Sequence, residues 1–215
     1  MTLIMIRHGE SVNNLEDKSQ HTLDPDLTPL GLAQASALGE RCVNVHIDHL
    51  IASPLPRSLR TANEIARRKN NMPVHVLHEL VEIGTDYQTL THEQALQVCP
   101  SVLPYDTRQK EDYGDNYELE IRDPYYTMGR AYRVISRMRQ SFGEDAVVAL
   151  VGHGAFNQRL IAAALRTAFP PHFIFGQSNT GVSVVNWRPN EEGNIITRLV
   201  TMNDTSHLFA AGLEG

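Results

Sequence analysis

Two histidines in this chain each close a short apolar run and each adjoin a glycine. His8 follows Leu3-Ile4-Met5-Ile6-Arg7 and precedes Gly9-Glu10; His153 follows Val147-Val148-Ala149-Leu150-Val151-Gly152 and precedes Gly154. A continuous apolar run of this length reads as a strand buried on both faces. In open α/β sheets, ligands sit in the crevice beyond the carboxyl ends of the strands, so two strand-end histidines can face one pocket. Two arginines occupy comparable places. Arg7 adjoins the first histidine, and Arg57 lies in Ser53-Pro54-Leu55-Pro56-Arg57-Ser58, just after the apolar run Ile47 to Ala52. A guanidinium is a rigid planar fork of donors matched to carboxylate and phosphate. Arg57 sits at a predicted helix start, where the dipole disfavours a cation; its place there points to an anion bound nearby. Together these four residues imply an anionic tetrahedral ligand. They do not read as a metal site, because the histidines are far apart in sequence and no His-x-x-x-His helix or Cys-x-x-Cys pair accompanies them. A serine hydrolase is poorly supported: there is no Gly-x-Ser-x-Gly turn, and Ser11 has no positioned base.

In five ordered segments, three of which hold these residues, the chain resembles the histidine phosphatase superfamily, which includes the cofactor-dependent phosphoglycerate mutases. Arg7-His8-Gly9-Glu10-Ser11 with Asn14 is similar to the family signature. Leu27-Thr28-Pro29-Leu30-Gly31-Leu32-Ala33-Gln34-Ala35 is similar to its Leu-Thr-x-x-Gly-x-x-Gln-Ala helix start. Ser53 to Ala62, with Arg57 and Thr61-Ala62, Leu80-Val81-Glu82-Ile83, and Val151 to Gly154 resemble three more segments, in the family's order and across nearly the whole chain. Arg-His-Gly alone would be a weak signal; the ordered set is a specific one.

The resemblance implies the following roles. His8 is the nucleophile: a neutral imidazole nitrogen attacks phosphorus and splits one hard displacement into two easier ones. Its other nitrogen needs an acceptor, such as a backbone carbonyl, to fix the tautomer. Arg7, Arg57 and His153, the last ideally as imidazolium, hold the phosphoryl oxygens where charge builds in the transition state. Glu82 is the general acid and then the base that activates water; Glu79, three residues earlier, is its rival. Asn14 donates to a phosphoryl oxygen, with Asn13 as the alternative. Ser11 and Glu10 read as structural. The family commonly follows the glutamate with a Gly-x-Trp-x-Gly-like stretch, where this chain has Gly84-Thr85-Asp86-Tyr87-Gln88-Thr89. The leaving-group side of the pocket therefore departs from the family pattern. Arg122, Tyr125 and Tyr126 are candidates for its entrance, set against a solvated loop. Asn203-Asp204-Thr205-Ser206-His207 resembles a tail of some family phosphatases; it reads equally as a surface tail and is left outside the site.

The elements that must position these groups follow from periodicity and turn chemistry. Residues 2–6 read as a strand and the polar stretch 11–27 as a loop. Thr28 is the expected N-cap of a helix with Pro29 at its first position, and Leu30, Ala33, Ala35 and Leu38 on its apolar face. Ile47–Ala52 is a strand, Pro54 to about Lys69 a helix, and Pro73–Leu77 a short strand. A helix is expected over Thr91–Val98, and residues 100–126 are the least regular part. Then come a helix over Thr127–Ser141, a strand over Asp145–Val151 and a helix over Ala155–Ala168. Gly181–Trp187 and Ile195–Met202, joined by a turn at Glu192-Gly193-Asn194, complete the sheet. Alternating strands and helices predict a three-layer α/β/α sandwich around a mainly parallel sheet, with an antiparallel edge strand from the C-terminal pair. No repeat or linker divides residues 1–215, so one domain is expected.

A length of 215 residues suits one such domain with a substantial core. The net charge of −6 argues against a general nucleic-acid binder, but Arg7 and Arg57 can still make a local positive site. Cys42 and Cys99 have no paired spacing and suit a reducing compartment. Five apolar-leaning residues reach Arg7 too soon for a secretory signal, and no stretch approaches the ~20 apolar residues that span a membrane. The reading is a cytoplasmic phosphatase needing neither cofactor nor metal, acting on a small phosphorylated metabolite, with no nucleic-acid or membrane partner and room for a homodimer. The alternatives are a cofactor-dependent phosphoglycerate mutase and a non-catalytic phosphate-ligand-binding protein. The chain is short for the mutase type and lacks its longer insertion after Glu82.

Overall fold

Both histidine-bearing runs are strands, and they lie side by side. In the computed structural model, which describes residues 1–215 except 16, 18, 20, 23, 24, 85–88, 107–122, 168–174, 214 and 215, β1 (Thr2–Arg7) pairs parallel with β4 (Val147–Gly152). The register sets Ile6 opposite Val151 and Arg7 opposite Gly152, so the two chains leave the sheet together and His8 emerges next to His153. On the far side of β4 lies β2 (His49–Ala52), parallel, with Ala52 opposite Val151. Beyond it lies β3 (Val74–Val76), also parallel. β5 (Val182–Pro189) pairs antiparallel with the other edge of β1, and β6 (Ile195–Asp204) antiparallel with β5. The order is β3-β2-β4-β1-β5-β6. The expected antiparallel element is therefore a pair, of which only β6 is an edge.

Period-two alternation sends the strand side chains into two helical layers. Leu3 and Met5 of β1 and Val148 and Leu150 of β4 pack with α4 (Pro124–Ser141) and α5 (Gly154–Leu165). Ile4, Ile6, Ala149 and Val151 pack on the opposite face with α1 (Pro29–Cys42), α2 (Pro56–Arg68) and α3 (His92–Val98). A strand apolar on both sides needs such a cover on both sides.

The helices begin where capping chemistry places them. The Thr28 side chain accepts from the Gly31 N–H, with Pro29 at the first helical position, and Thr91 forms a capping box with Gln94. α4 begins three residues before the expected Thr127: Asp123 caps it by accepting from Tyr125 N, and Pro124 opens it. Asp-Pro is itself an N-terminal signal. The apolar face of α1 also differs from expectation. Leu30 is exposed, and the buried stripe is Gly31, Gln34, Ala35, Leu38, Gly39 and Cys42. The glycine must lie inward because α1 touches the loop after His8 there. The C-terminal residues 203–207 are not a surface tail: β6 runs to Asp204, and Ser206–Ala211 forms a last helix, α6, that buries His207. Arg122 and residues 85–88 of the departing stretch lie outside the described residues, and the helix expected over Ala155–Ala168 ends earlier, at Leu165, where Arg166 turns left-handed (φ +53°).

That contact yields a stability prediction. A Cβ on Gly31 would lie 1.9 Å from the Glu10 carbonyl oxygen and 2.8 Å from its nitrogen, both backbone. Gly31→Ala should cost about 1–3 kcal/mol or more as the chain moves apart. A Cβ on Gly129, inside α4, would meet only the tip of Arg133 at 3.7 Å, so Gly129→Ala should stabilise by about 0.5–1 kcal/mol. Urea melts of both variants test the pair; equal effects would contradict it.

Candidate active site

The loop leaving β1 is pinned at every residue. His8 N–H donates to Gly152 O (3.0 Å) across the β1–β4 junction. Gly9 N–H donates to Thr61 Oγ1 (3.1 Å), which in turn donates to Arg57 O (2.8 Å) in the first turn of α2. Glu10 N–H donates to Gln34 Oε1 (2.8 Å), while the Glu10 carboxylate accepts from Thr28 Oγ1 (2.6 Å). Glu10 and Ser11 are thus structural: Ser11 is buried and bonded through N–H and Oγ to Asn14 Oδ1. The His8 imidazole, 4% exposed, donates from Nδ1 to Gly9 O at 2.6 Å. That bond places the proton on Nδ1 and the lone pair on Nε2.

Arg57 meets that lone pair, and Arg7 and His153 lie near the same ring. Arg57 is buried, and its Nε lies 3.3 Å from His8 Nε2. Arg7 Nη1 donates to Gln177 O (2.8 Å), while its buried Nε has no hydrogen-bond partner among the described residues. The His153 ring stands 5.1 Å from that of His8, inclined 62°. His153 Nε2 lies 2.9 Å from Ser53 Oγ and 3.3 Å from Ser58 Oγ. Ser53 Oγ accepts from Leu55 N–H and keeps a hydrogen of its own; when that hydrogen is donated to His153 Nε2, the imidazole proton resides on Nδ1. That Nδ1 is buried without a partner among the described residues. A buried donor left unmatched is costly; Arg7 Nε and His153 Nδ1 both suit an oxyanion.

Electrostatics keep both rings neutral. Burial first, then the Arg57 charge, hold the His8 imidazole well below its usual range, against the Gly9 carbonyl, which pulls it up. Burial, then Arg57, then His8 lower His153 likewise. The expected imidazolium on His153 is thereby corrected: three nearby arginines, Arg57, Arg7 and Arg130, oppose a further positive charge. A neutral Nδ1–H still donates. The consequence for stability has a definite sign. Where folded-state values lie below the unfolded 6.5, the unfolded chain binds more protons, so stability is full above about pH 6.5 and is lost as pH falls toward the folded values. The unfolding free energy from urea melts should drop from pH 7 to pH 5, by up to about 1.4 kcal/mol per pH unit for each such histidine. His153→Gln should flatten the slope; a profile unchanged by that substitution would contradict the assignment.

The rival carboxylates separate clearly. Glu82 caps the first turn of α5, Oε2 accepting from Ala155 N (3.1 Å) and Oε1 from Phe156 N (2.9 Å) and Ile83 N (2.9 Å). A helix N-terminus favours such a charge, and the glutamate's charge is felt by Arg7 and by Arg159. Glu79 instead pairs with Arg137 of α4 at 2.9 Å. The two asparagines also part. Asn13 is tied to Thr22 through both ends of its amide. Asn14 turns its Oδ1 to Ser11 N, Ser11 Oγ and Asn179 Nδ2, leaving the NH2 group to donate elsewhere. Tyr125 is exposed on the first turn of α4. Among the described residues no three His, Cys, Asp or Glu side chains form a group that could hold a metal.

A polar second layer supports this cluster, and sequence reading missed it. Gln177 is buried; its Nε2 donates to Met5 O, Gly181 O and Ser183 Oγ, and its Oε1 accepts from Asn157 Nδ2 (2.8 Å). Asn179 Nδ2 donates to His8 O (3.1 Å). The available signals were faint: a lone asparagine on a buried helix face, and the polar run Gln177–Thr180 before a strand. The ensemble is a fixed imidazole lone pair, convergent guanidinium and N–H donors, and a carboxylate at the rim, the equipment for displacement at phosphorus.

Residues 3–205 match the model of the histidine phosphatase superfamily, branch 1. Phosphoserine phosphatase 1 of Hydrogenobacter thermophilus is 29% identical over 207 residues, 96% of this chain and 93% of that protein. Glucosyl-3-phosphoglycerate phosphatase of Mycolicibacterium vanbaalenii is 29% identical over 168 residues, 76% and 73% of the two chains. A mycobacterial glucosyl-3-phosphoglycerate phosphatase solved with VO3 is 25% identical and superposes with a TM-score of 0.65, over 94% of this chain and 98% of that one.

Proposed function

Because the chain belongs to branch 1 of the histidine phosphatase superfamily, we propose that residues 1–215 act as one unit that hydrolyses a small phosphomonoester through a phosphohistidine on His8. One observation carries the reading: the His8 lone pair, its tautomer held by Gly9 O, lies 3.3 Å from Arg57 Nε, and beside it Arg7 Nε and His153 Nδ1 are buried without partners among the described residues. His8 Nε2 attacks phosphorus opposite the leaving oxygen. Arg7, Arg57 and His153 Nδ1–H bind the equatorial oxygens as charge accumulates there, and the Asn14 amide adds a donor. Glu82 protonates the departing alkoxide. Now a carboxylate, it takes a proton from the water that attacks the phosphohistidine, which releases phosphate and restores both groups.

The phosphatase names of the relatives support hydrolysis over transfer to a second hydroxyl. Two of those names, phosphoserine and glucosyl-3-phosphoglycerate phosphatase, suggest the first substrates to try. Phosphate release measured over phosphoserine, phosphoglycerates, sugar phosphates, nucleotides and cobalamin-precursor phosphates tests the reading, with a mutase assay beside it. Mutase turnover without phosphate release would overturn it, and ligand binding with no turnover at all would favour a non-catalytic binder.

The charge is handled by guanidinium and imidazole groups, so activity should persist in excess EDTA. Loss that reverses on adding Mg²⁺ or Zn²⁺ would refute this part. A cytoplasmic setting is supported by Cys42 and Cys99, buried free thiols pushed up to about 11 by burial. Among the described residues no helix is long and apolar enough to cross a membrane, and no strand lies beyond β6. A second copy could pair along that edge, which light scattering would detect.

A further inference from the structure

Thr180 holds a backbone conformation that its residue type disfavours. Its φ is +54°, in the left-handed region where a β-branched residue is an outlier. Such a residue persists only where its surroundings over-determine it, and outliers of this kind concentrate at functional sites. Thr180 is wholly buried, and its N–H is shared between the carbonyls of Arg7 (3.1 Å) and His8 (3.2 Å). The preceding Asn179 donates to the same His8 carbonyl and to Asn14 Oδ1. The segment thus fastens the backbone of the residue carrying the nucleophile, of its neighbouring arginine, and the side chain of Asn14.

The surroundings that hold it are the C-terminal residues left outside the site on sequence grounds. Asn203 Oδ1 accepts from Ser178 N (2.7 Å) and its Nδ2 donates to Ser178 Oγ (3.2 Å). A Cβ on Gly181 would lie 2.2 Å from Asn203 Oδ1, so this contact exists only because residue 181 is glycine. From α6, the His207 ring reaches Thr180 Oγ1 with Nε2 at 2.9 Å, and its Nδ1 lies 3.3 Å from Arg41 Nη1. The directions are forced. Arg41 can only donate, so His207 Nδ1 accepts and Nε2 carries the proton. Thr180 Oγ1 then accepts from Nε2–H and donates to Asn179 O at 2.8 Å. Asp204 pairs with Arg41 and fixes the start of this relay.

We propose that His207 is a positioning residue for His8 and Arg7, acting through Thr180 to hold residues 178–180 in the one arrangement that fixes both carbonyls. The inference rests on the phosphohistidine reading for its effect on rate, but not for its effect on the His8 ring. Arg41, Asp204 and Asn203 belong to the same device, and the C-terminal helix is its clamp.

The test uses the full chain and para-nitrophenyl phosphate, following the burst of nitrophenol release at saturating probe. His207→Ala should slow the burst about 10- to 100-fold, the scale of a misplaced reacting group. Thr180→Val, which keeps the shape and removes the hydroxyl, should do the same. Their combination should be no worse than either alone, since both break one relay. His207→Gln, whose amide N–H can occupy the Nε2 position, should recover most of the rate. A purely structural role would lower the unfolding midpoint and leave the burst rate of the folded fraction unchanged, and that result in Thr180→Val and His207→Ala overturns the proposal. If His207→Ala does not fold, Thr180→Val and His207→Gln decide alone. Nitrogen-15 spectra of labelled histidines provide an activity-free readout. The His8 ring resonances should move in Thr180→Val and stay near wild type in His207→Gln. If the wild-type protein releases no nitrophenol at all while those resonances move, the catalytic reading fails and the positioning role stands; resonances that do not move overturn the positioning role.

Discussion

His8→Asn should abolish phosphoryl transfer, with a loss on the order of 10⁶-fold, the scale seen when a covalent nucleophile is removed. The expected size follows from what the ring does. In the proposed mechanism a neutral Nε2, with the proton held on Nδ1 by Gly9 O, makes the bond to phosphorus. Asparagine can keep a bond to that carbonyl but has no nucleophilic nitrogen. Arg7, Arg57 and His153 would remain to bind the phosphoryl group, so the variant should still be inhibited by, or bind, phosphate. In the wild-type protein, radiolabelled substrate quenched within one turnover should leave an acid-labile, base-stable label that maps to His8, as a phosphoramidate requires. A label on Ser11 would overturn the mechanism, as would none in a competent rapid-quench experiment. The geometry argues against Ser11, whose hydroxyl is buried and committed to Asn14.

Glu82→Gln should show a loss that depends on the leaving group. General acid catalysis is typically worth about 10²–10⁴-fold, so that much should vanish on an alkyl phosphate, whose alkoxide leaves poorly without a proton. Phosphoenzyme formation from an activated aryl phosphate needs no proton donor and should be affected far less. Steady-state turnover would hide the contrast, because in the proposed mechanism Glu82 also activates the water that clears the phosphohistidine; the burst of aryl alcohol before turnover is the quantity to measure. Glu79→Gln is the matched control. Glu79 pairs with Arg137 at a partly exposed site on α4, and its loss should cost at most about 1 kcal/mol of stability and leave the burst intact. Near-normal rates on alkyl phosphates for Glu82→Gln, with Glu79→Gln inactive, would place the acid on the other residue.

Much of the frame was legible from local chemistry. The runs before His8 and His153 read as buried strands because a strand covered on both faces has no polar alternation to show. Thr28-Pro29 and Thr91 announced helix starts because a cap satisfies N–H groups within three residues of itself. Where local cues were misread, they were at least present, as with Asp123-Pro124 at the head of α4. The ordered motifs of His8, Arg57, Glu82 and His153 named the chemistry by resemblance. They could not supply the distances.

Those were decided by the sheet. Only the parallel register of β1, β4 and β2 carries His8, His153 and Ser53 to one rim, and register is a relation between strands far apart in the chain. Glu82, preferred over Glu79 by its motif, and Glu79 itself are sent to different partners by a three-residue step, one to the head of α5 and the other to Arg137. The neutrality of His153 came from burial among arginines from three separate segments. The least legible part was the Gln177–Thr180 support and its C-terminal clamp. Its strained threonine and buried amides are unfavourable when taken residue by residue, and they become stable only when β5, β6 and α6 close around the end of β1.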